Sequence, residues 1–146
     1  MAVSSLFIVT GPSGVGKTYL AQHLVRHFPD TFKEVRVFTT RAPRNQENSS
    51  SDRIFISKSE FKQRQIDGDF LVSGIFHNNW YGWLASDINE SPRPLILNTW
   101  PALVPQFASL DQSIVVAVTT NQQGRSLLKD RMLQRGDSPE TVDERM

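Results

Sequence analysis

The sequence predicts an α/β fold in which helices cover both faces of a parallel core sheet. Three observations point there. Short apolar runs at Leu6–Val9, Leu95–Trp100 and Ser113–Val118 suit strands buried in such a sheet. Stretches with helical spacing separate the runs, the alternation expected of parallel strands. Between the first run and the first helical stretch lies Gly11-Pro12-Ser13-Gly14-Val15-Gly16-Lys17-Thr18, a glycine-rich link from strand to helix.

Taken in order, Leu6-Phe7-Ile8-Val9 is the first strand, and Leu20, Leu24 and Phe28 form one stripe of the helix that follows, stopped by Pro29. Glu34 to Thr39 has strand character and runs into Thr40-Arg41-Ala42-Pro43-Arg44. The polar tract Asn45 to Ser51 reads as a mobile loop. Arg53 to Ser57 is a short strand, and a helical stretch opens at Ser59-Glu60-Phe61 and closes near Gly68. Asp69 to Gly82 is less regular, with strand-like pieces at Phe70–Val72 and Trp80–Gly82. Pro92 and Pro94 turn the chain into the second buried strand, a helical piece runs through Leu103 and Phe107, and Ser113–Val118 is the third strand. The tail from Gln122 to Met146 reads as helical, broken at Gly136.

A chain of 146 residues with a net charge of +1 is sized for one domain and has no general basic field of the kind that nucleic acid selects. Cysteine is absent, which removes disulfides, thiolate chemistry and cysteine metal sites. No run approaches the roughly 18 apolar residues of a spanning helix, so the expectation is a cytoplasmic protein without membrane or nucleic-acid partners.

The eight residues from Gly11 match G-x-x-x-x-G-K-[ST], the phosphate-binding loop. Glycine lets successive backbone N–H groups point inward at a polyphosphate, and the positive end of the following helix faces the same anion. Lys17 supplies a cation to the β- and γ-phosphates, and the Thr18 hydroxyl suits Mg²⁺. Arg41 and Arg44, straddling Pro43, could fork onto a second phosphate or form only a solvated basic turn. His23 and His27 read as helix-surface residues, His77 as a lone loop histidine, and Trp80, Trp83 and Trp100 as core or pocket walls.

These residues together resemble guanylate kinase. The resemblance runs from the glycine loop through Thr39-Thr40-Arg41-Ala42-Pro43-Arg44, Glu47 with Asp52, Phe70-Leu71 and Tyr81-Gly82 to the segment from Arg131 to Met146. It implies a P-loop kinase fold made of a core (1–34 and 91–121), an acceptor-binding insertion (35–90) and an arginine-bearing lid (122–146). It further implies ATP and Mg²⁺, with Gly11 to Thr18 holding the donor phosphates and Lys17, Arg131, Arg135 and Arg145 serving the transfer. Arg41, Arg44 and Tyr81 would grip the acceptor's own phosphate, joined by Arg53 where the family has tyrosine. Asn98 stands where the family has an aspartate near the metal, in a supporting position.

The likeness departs at the base. Positions with which the family reads guanine hold Val37, Val72, Trp83 and Trp100 here. Buried donors left without partners cost about 1–3 kcal/mol each, which argues against GMP as the preferred acceptor. Ribose 1,5-bisphosphate kinases, which resemble guanylate kinase without base recognition, also place asparagine in a similar segment. Guanylate kinase-like scaffold domains, which tend to lose the phosphate loop, are the other alternative. The family continues beyond the lid with another helix, a strand and a closing helix, whereas this sequence stops at Met146, which reads either as truncation within the lid region or as a core sheet short of an edge strand. The Ile114–Val118 strand is therefore expected to be a bare edge, open to homodimer formation.

Overall fold

The computed structural model describes residues 5–44, 47 and 52–146. Its core is a four-stranded sheet, β2 (Lys33–Glu34), β7 (Leu95–Asn98), β1 (Leu6–Thr10) and β8 (Ser113–Ala117) in spatial order, with every pairing parallel. Side chains alternate along these strands. Leu6, Ile8, Leu95 and Leu97 face one apolar cluster with Phe107, while Val9 and Ile96 face a second with Ala21. Ala21 belongs to helix α1 (Lys17–His27), and Phe107 to α4 (Val104–Ala108), which follows a 3₁₀ turn at Pro101–Leu103.

The predicted strand from Glu34 to Thr39 divides. Its start is β2 in the core, and Val37–Thr39 is β3 of a second sheet. That sheet runs β4 (Arg53–Phe55), β3, β6 (Asn79–Leu84), β5 (Phe70–Phe76), with β3 and β4 parallel and the other pairs antiparallel. Helix α2 (Lys58–Ile66) begins at Ser57, whose hydroxyl accepts from the Glu60 amide. The polar tract expected as a mobile loop lies outside the described residues except for Glu47.

Four expectations are corrected. The stretch from Asp69 to Gly82 is a continuous hairpin with one register irregularity, between Phe70 and Val72, because His77 and Asn78 both adopt positive φ (46° and 59°) and close a tight two-residue turn without glycine. A short helix, α3 (Ala85–Asn89), follows β6 where the sequence carried no helical signal. The third apolar strand, β8, is not buried on both faces: Ile114 and Val115 are each 45% exposed, and β8 pairs only with β1 among the described residues. Phe28 also leaves the apolar stripe of α1, capping its end half-exposed.

The tail forms α5 (Gln122–Gln134) and α6 (Pro139–Arg145). Gly136, at φ 94°, reverses the chain between them. Its amide donates to the Leu133 carbonyl and the Asp137 amide donates to that of Met132, a doubly bonded helix end. This turn aims Asp137 back into the molecule.

Behind the second sheet, Glu34 is largely buried, and one of its carboxylate oxygens has no partner. Burial first, and then the charge of Asp52, push its carboxyl up to about 7, against the pull of Arg53. A carboxyl held above its ordinary 4.5 stabilises the fold at low pH and loses that contribution as pH rises through about 7. Glu34→Gln is therefore expected to stabilise the protein at pH 8 by about 1–2 kcal/mol, allowing for partial solvent screening, and to be nearly neutral at pH 5. Thermal melts of both proteins at the two pH values check this.

Candidate active site

The glycine loop leaves the end of β1 and enters α1. Gly16 serves as the N-cap at φ 105°, and a Cβ at Gly11 would sit 2.2 Å from the Val118 carbonyl oxygen, so both positions demand glycine. The loop borders a cavity of about 640 Å³, lined by Gly11, Pro12, Ser13, Gly14, Gly16, Lys17 and Thr18. Val15 does not line it; its amide closes the loop's own turn on the Pro12 carbonyl at 3.4 Å.

Lys17 donates to the carbonyls of Gly11 and Pro12, both at 2.8 Å. Burial and then the nearby Arg135 and Arg145 lower its amine to about 8, so it remains a cation at neutral pH. A polyphosphate in the cavity would offset those repulsions. The structure thus brings a tense, partly desolvated cation to the floor of the loop.

Across the cavity stand the residues of the insertion. Arg41, Arg44, Arg53 and Tyr81 all line it, as do Arg131, Arg135 and Arg145 from the tail. Arg131 reaches the Gly14 carbonyl at 3.4 Å, placing α5 over the phosphate loop. Two carboxylates balance the other arginines. Glu47 takes Arg41 at 2.7 Å and Arg53 at 3.1 Å, and accepts from the Arg44 amide at 2.9 Å. Asp137 takes Arg44 at 3.1 Å, Arg135 at 2.6 Å and Arg145 at 3.4 Å.

The crowding registers in the charges. Burial, then Arg135 and Arg41, lower the Arg44 guanidinium to about 10, with Asp137 opposing. Burial alone would raise the Asp137 carboxyl. The hydrogen bond and charge of Arg135, then Arg44 and Arg145, hold it below the usual range instead.

Thr18 and Asn98 also line the cavity. The Asn98 side-chain carbonyl is buried without a partner, as is the Thr99 hydroxyl beside it. Hard oxygen donors of this kind fit Mg²⁺ that keeps most of its own water, so the residues suit the ion.

Aromatic side chains make the remaining wall. Trp100 stacks on Phe76 at 4.9 Å and meets Tyr81 at 5.2 Å and Trp83 at 6.0 Å. Val37, Trp83 and Trp100 line the cavity, whereas Val72 lies in the core, paired with Trp83 across the hairpin. His77 has a partner after all: its Nδ1 lies 3.4 Å from Glu144, and its ring packs on Phe76. His23 and His27 stack at 4.0 Å on the outer face of α1, beyond Tyr19. Trp80 packs on Phe61.

Sequence reasoning did not single out Asp137, Phe76 or Tyr19, which also lines the cavity, and it gave Glu47 no role. Asp137 and Arg44 stand 93 residues apart, and no local pattern signals their meeting.

A parallel sheet, a glycine loop opening a helix and an arginine-lined cavity facing it define a P-loop protein with room for two phosphate groups. The guanylate kinase family model matches residues 3–95, and the chain belongs to the guanylate kinase family. It is 41% identical over 85 residues to a guanylate kinase of Chlamydia caviae, a match that covers 58% of this chain and 42% of the relative. It is 31% identical to that of Chlamydia abortus and 32% identical to that of Helicobacter pylori, each match covering 97% of this chain and 70% of the relative. The chain therefore spans less than the full length of these relatives, from 42% to 70%. The crystal structure of guanylate kinase from Anaplasma phagocytophilum superposes with a TM-score of 0.69 over 91% of this chain and 68% of its own, at 20% identity, a likeness of fold.

Proposed function

We propose that the chain is an ATP-dependent phosphotransferase of the guanylate kinase kind, moving the γ-phosphoryl of ATP onto the phosphate of a small phosphorylated acceptor. The observation that carries this reading is the single cavity with the glycine loop and Lys17 on one side and Arg41, Arg44, Arg53 and Tyr81 on the other. An acceptor phosphate oxygen attacks the γ-phosphorus in line, the bond to the β,γ-bridging oxygen breaks, and ADP leaves. Such a transfer asks the protein for position and positive charge rather than for a nucleophile.

Gly11 to Thr18 hold the donor phosphates, with Lys17 at the β- and γ-oxygens. Arg131, Arg135 and Arg145 face the moving phosphoryl, and Arg41, Arg44, Arg53 and Tyr81 hold the acceptor. The Thr18 hydroxyl, supported from Asn98, would hold Mg²⁺, which when bound would supply neutralising charge to the donor phosphates. An ATP donor fits a cytoplasmic setting. The exposed Ile114 and Val115 on the β8 edge support pairing with a second copy of the chain.

GMP is the acceptor that the family name suggests, but Val37, Trp83 and Trp100 offer no side-chain acceptor to the N1–H and exocyclic amine of a guanine. We read the acceptor site as one that grips a phosphate and packs the rest of the molecule on an aromatic wall, which leaves a ribose phosphate as the second candidate. Lys17 and Thr18 favour an enzyme over a binding module. The test is ADP release with GMP, AMP, CMP, UMP and ribose phosphates as acceptors. GMP is expected to show no lead over the best of the others beyond about tenfold in either direction, the value of one imperfect contact. A lead of several hundredfold for GMP would show that the guanine edge is read after all. No turnover with any acceptor would favour the binding module.

A further inference from the structure

Asp137 is a buried carboxylate that joins the two halves of the cavity. It lies past α5, at the turn made by Gly136, yet its Oδ1 accepts from Arg44 of the insertion at 3.1 Å. Its Oδ2 accepts from Arg135 at 2.6 Å and from Arg145 at 3.4 Å. Its side chain is only 6% exposed. All three arginines line the cavity.

Three guanidinium groups gathered here, Arg145 and Arg44 largely buried and Arg135 35% exposed, need an anion, because an unpaired buried charge is strongly destabilising. A phosphate offers the same acceptor oxygens with more charge than a carboxylate. Asp137 thus makes, in the free protein, the contacts that a phosphoryl group would make when bound. The same contacts tie α5 and α6 to the insertion. Glu144 of α6 also reaches the insertion, 3.4 Å from His77 Nδ1, but its side chain is 65% exposed at the rim, whereas Glu47 pairs only within the insertion.

We propose that Asp137 is a resident counter-anion that latches the tail onto the acceptor arm, and that an incoming phosphate displaces it from Arg44, Arg135 and Arg145. This rests on reading the arginine cavity as a phosphate site. The latch has two consequences. Ligand binding pays for breaking the carboxylate contacts, which weakens ground-state phosphate affinity. It also keeps the arginines gathered and aligned before substrate arrives.

Calorimetric titration of inorganic pyrophosphate into the wild-type chain, Asp137→Asn and Asp137→Glu tests the displacement. Asp137→Asn is expected to bind pyrophosphate about tenfold tighter at low salt, with Asp137→Glu near wild type. Equal or weaker binding by a folded Asp137→Asn would overturn the proposal, since a purely structural carboxylate would give that result. Limited trypsin cleavage of Arg44→Gln without any ligand tests the latch separately, even if Asp137→Asn fails to fold. Cutting after Arg131 and Arg135 is expected to be several-fold faster than in wild type at an unchanged melting temperature, and an unchanged cutting rate would overturn the latch. Absence of pyrophosphate binding by every protein would instead strike at the phosphate-site reading, and the cleavage result would still decide whether Asp137 ties the two regions.

Discussion

Lys17→Ala is expected to cut ADP release by about a hundred- to a thousandfold, the loss seen when one preorganised cationic or hydrogen-bonding group is taken from a developing charge. The fold is expected to survive, because the amine is a desolvated cation beside Arg135 and Arg145, and removing it relieves repulsion. Melting temperature should hold or rise slightly while activity falls. The wild-type protein carries a pH signature as well. The free amine titrates at about 8, so the cation is present below that pH and lost above it. ATP affinity should fall as pH rises from 7 to 9, and the Ala variant should show a flat profile over the same range. Steady-state rates beside fluorescence-detected nucleotide binding measure both effects.

Arg41→Gln is expected to act on the acceptor and not on the donor. Arg41 is 9% exposed, donates to Glu47 and to the Ala42 carbonyl, and presents the rest of its fork to the cavity. Charge-assisted hydrogen bonds contribute about 1.5–3 kcal/mol, so the acceptor KM should rise by about ten- to a hundredfold with the ATP KM little changed. The variant also strips Glu47 of its shorter ionic partner, leaving Arg53 and the Arg44 amide. A loss of stability of about 1–3 kcal/mol should accompany the kinetic change. An equal rise in both KM values would place Arg41 at the donor instead.

How far the sequence could be read depended on how local each feature is. The glycine loop, α1 and the strands β1 and β7 were legible because each is written in adjacent residues: a periodic apolar pattern or a motif whose geometry the backbone alone imposes. The arginines of the tail were legible only through resemblance, since their spacing on α5 and α6 says nothing about which side of the molecule they will face. The hairpin from Phe70 to Leu84 was obscured because its turn uses His77 and Asn78 in a conformation usually signalled by glycine. The split of Glu34–Thr39 between two sheets is decided by neighbours far along the chain, β7 for one half and β6 for the other. The edge position of β8 was legible only through the resemblance, because an apolar run by itself reads as buried until the sheet order shows that nothing described lies beyond it.

The two sheets are not separate bodies. Val35, Val37, Val72 and Trp83 share one apolar cluster with Leu6, Ile8, Leu95 and Leu97, and Trp83 meets Phe107 edge-on at 5.1 Å. Swinging the insertion away from the core would tear that cluster open and wet several large side chains, at about 1.5–3 kcal/mol for each one exposed. The insertion is therefore expected to melt together with the core in a single calorimetric transition, and its slowest-exchanging amides to open only with global unfolding. Rearrangement around substrate is therefore expected on the far side of the cleft, where Arg44–Asp137 and His77–Glu144 link the tail to the insertion.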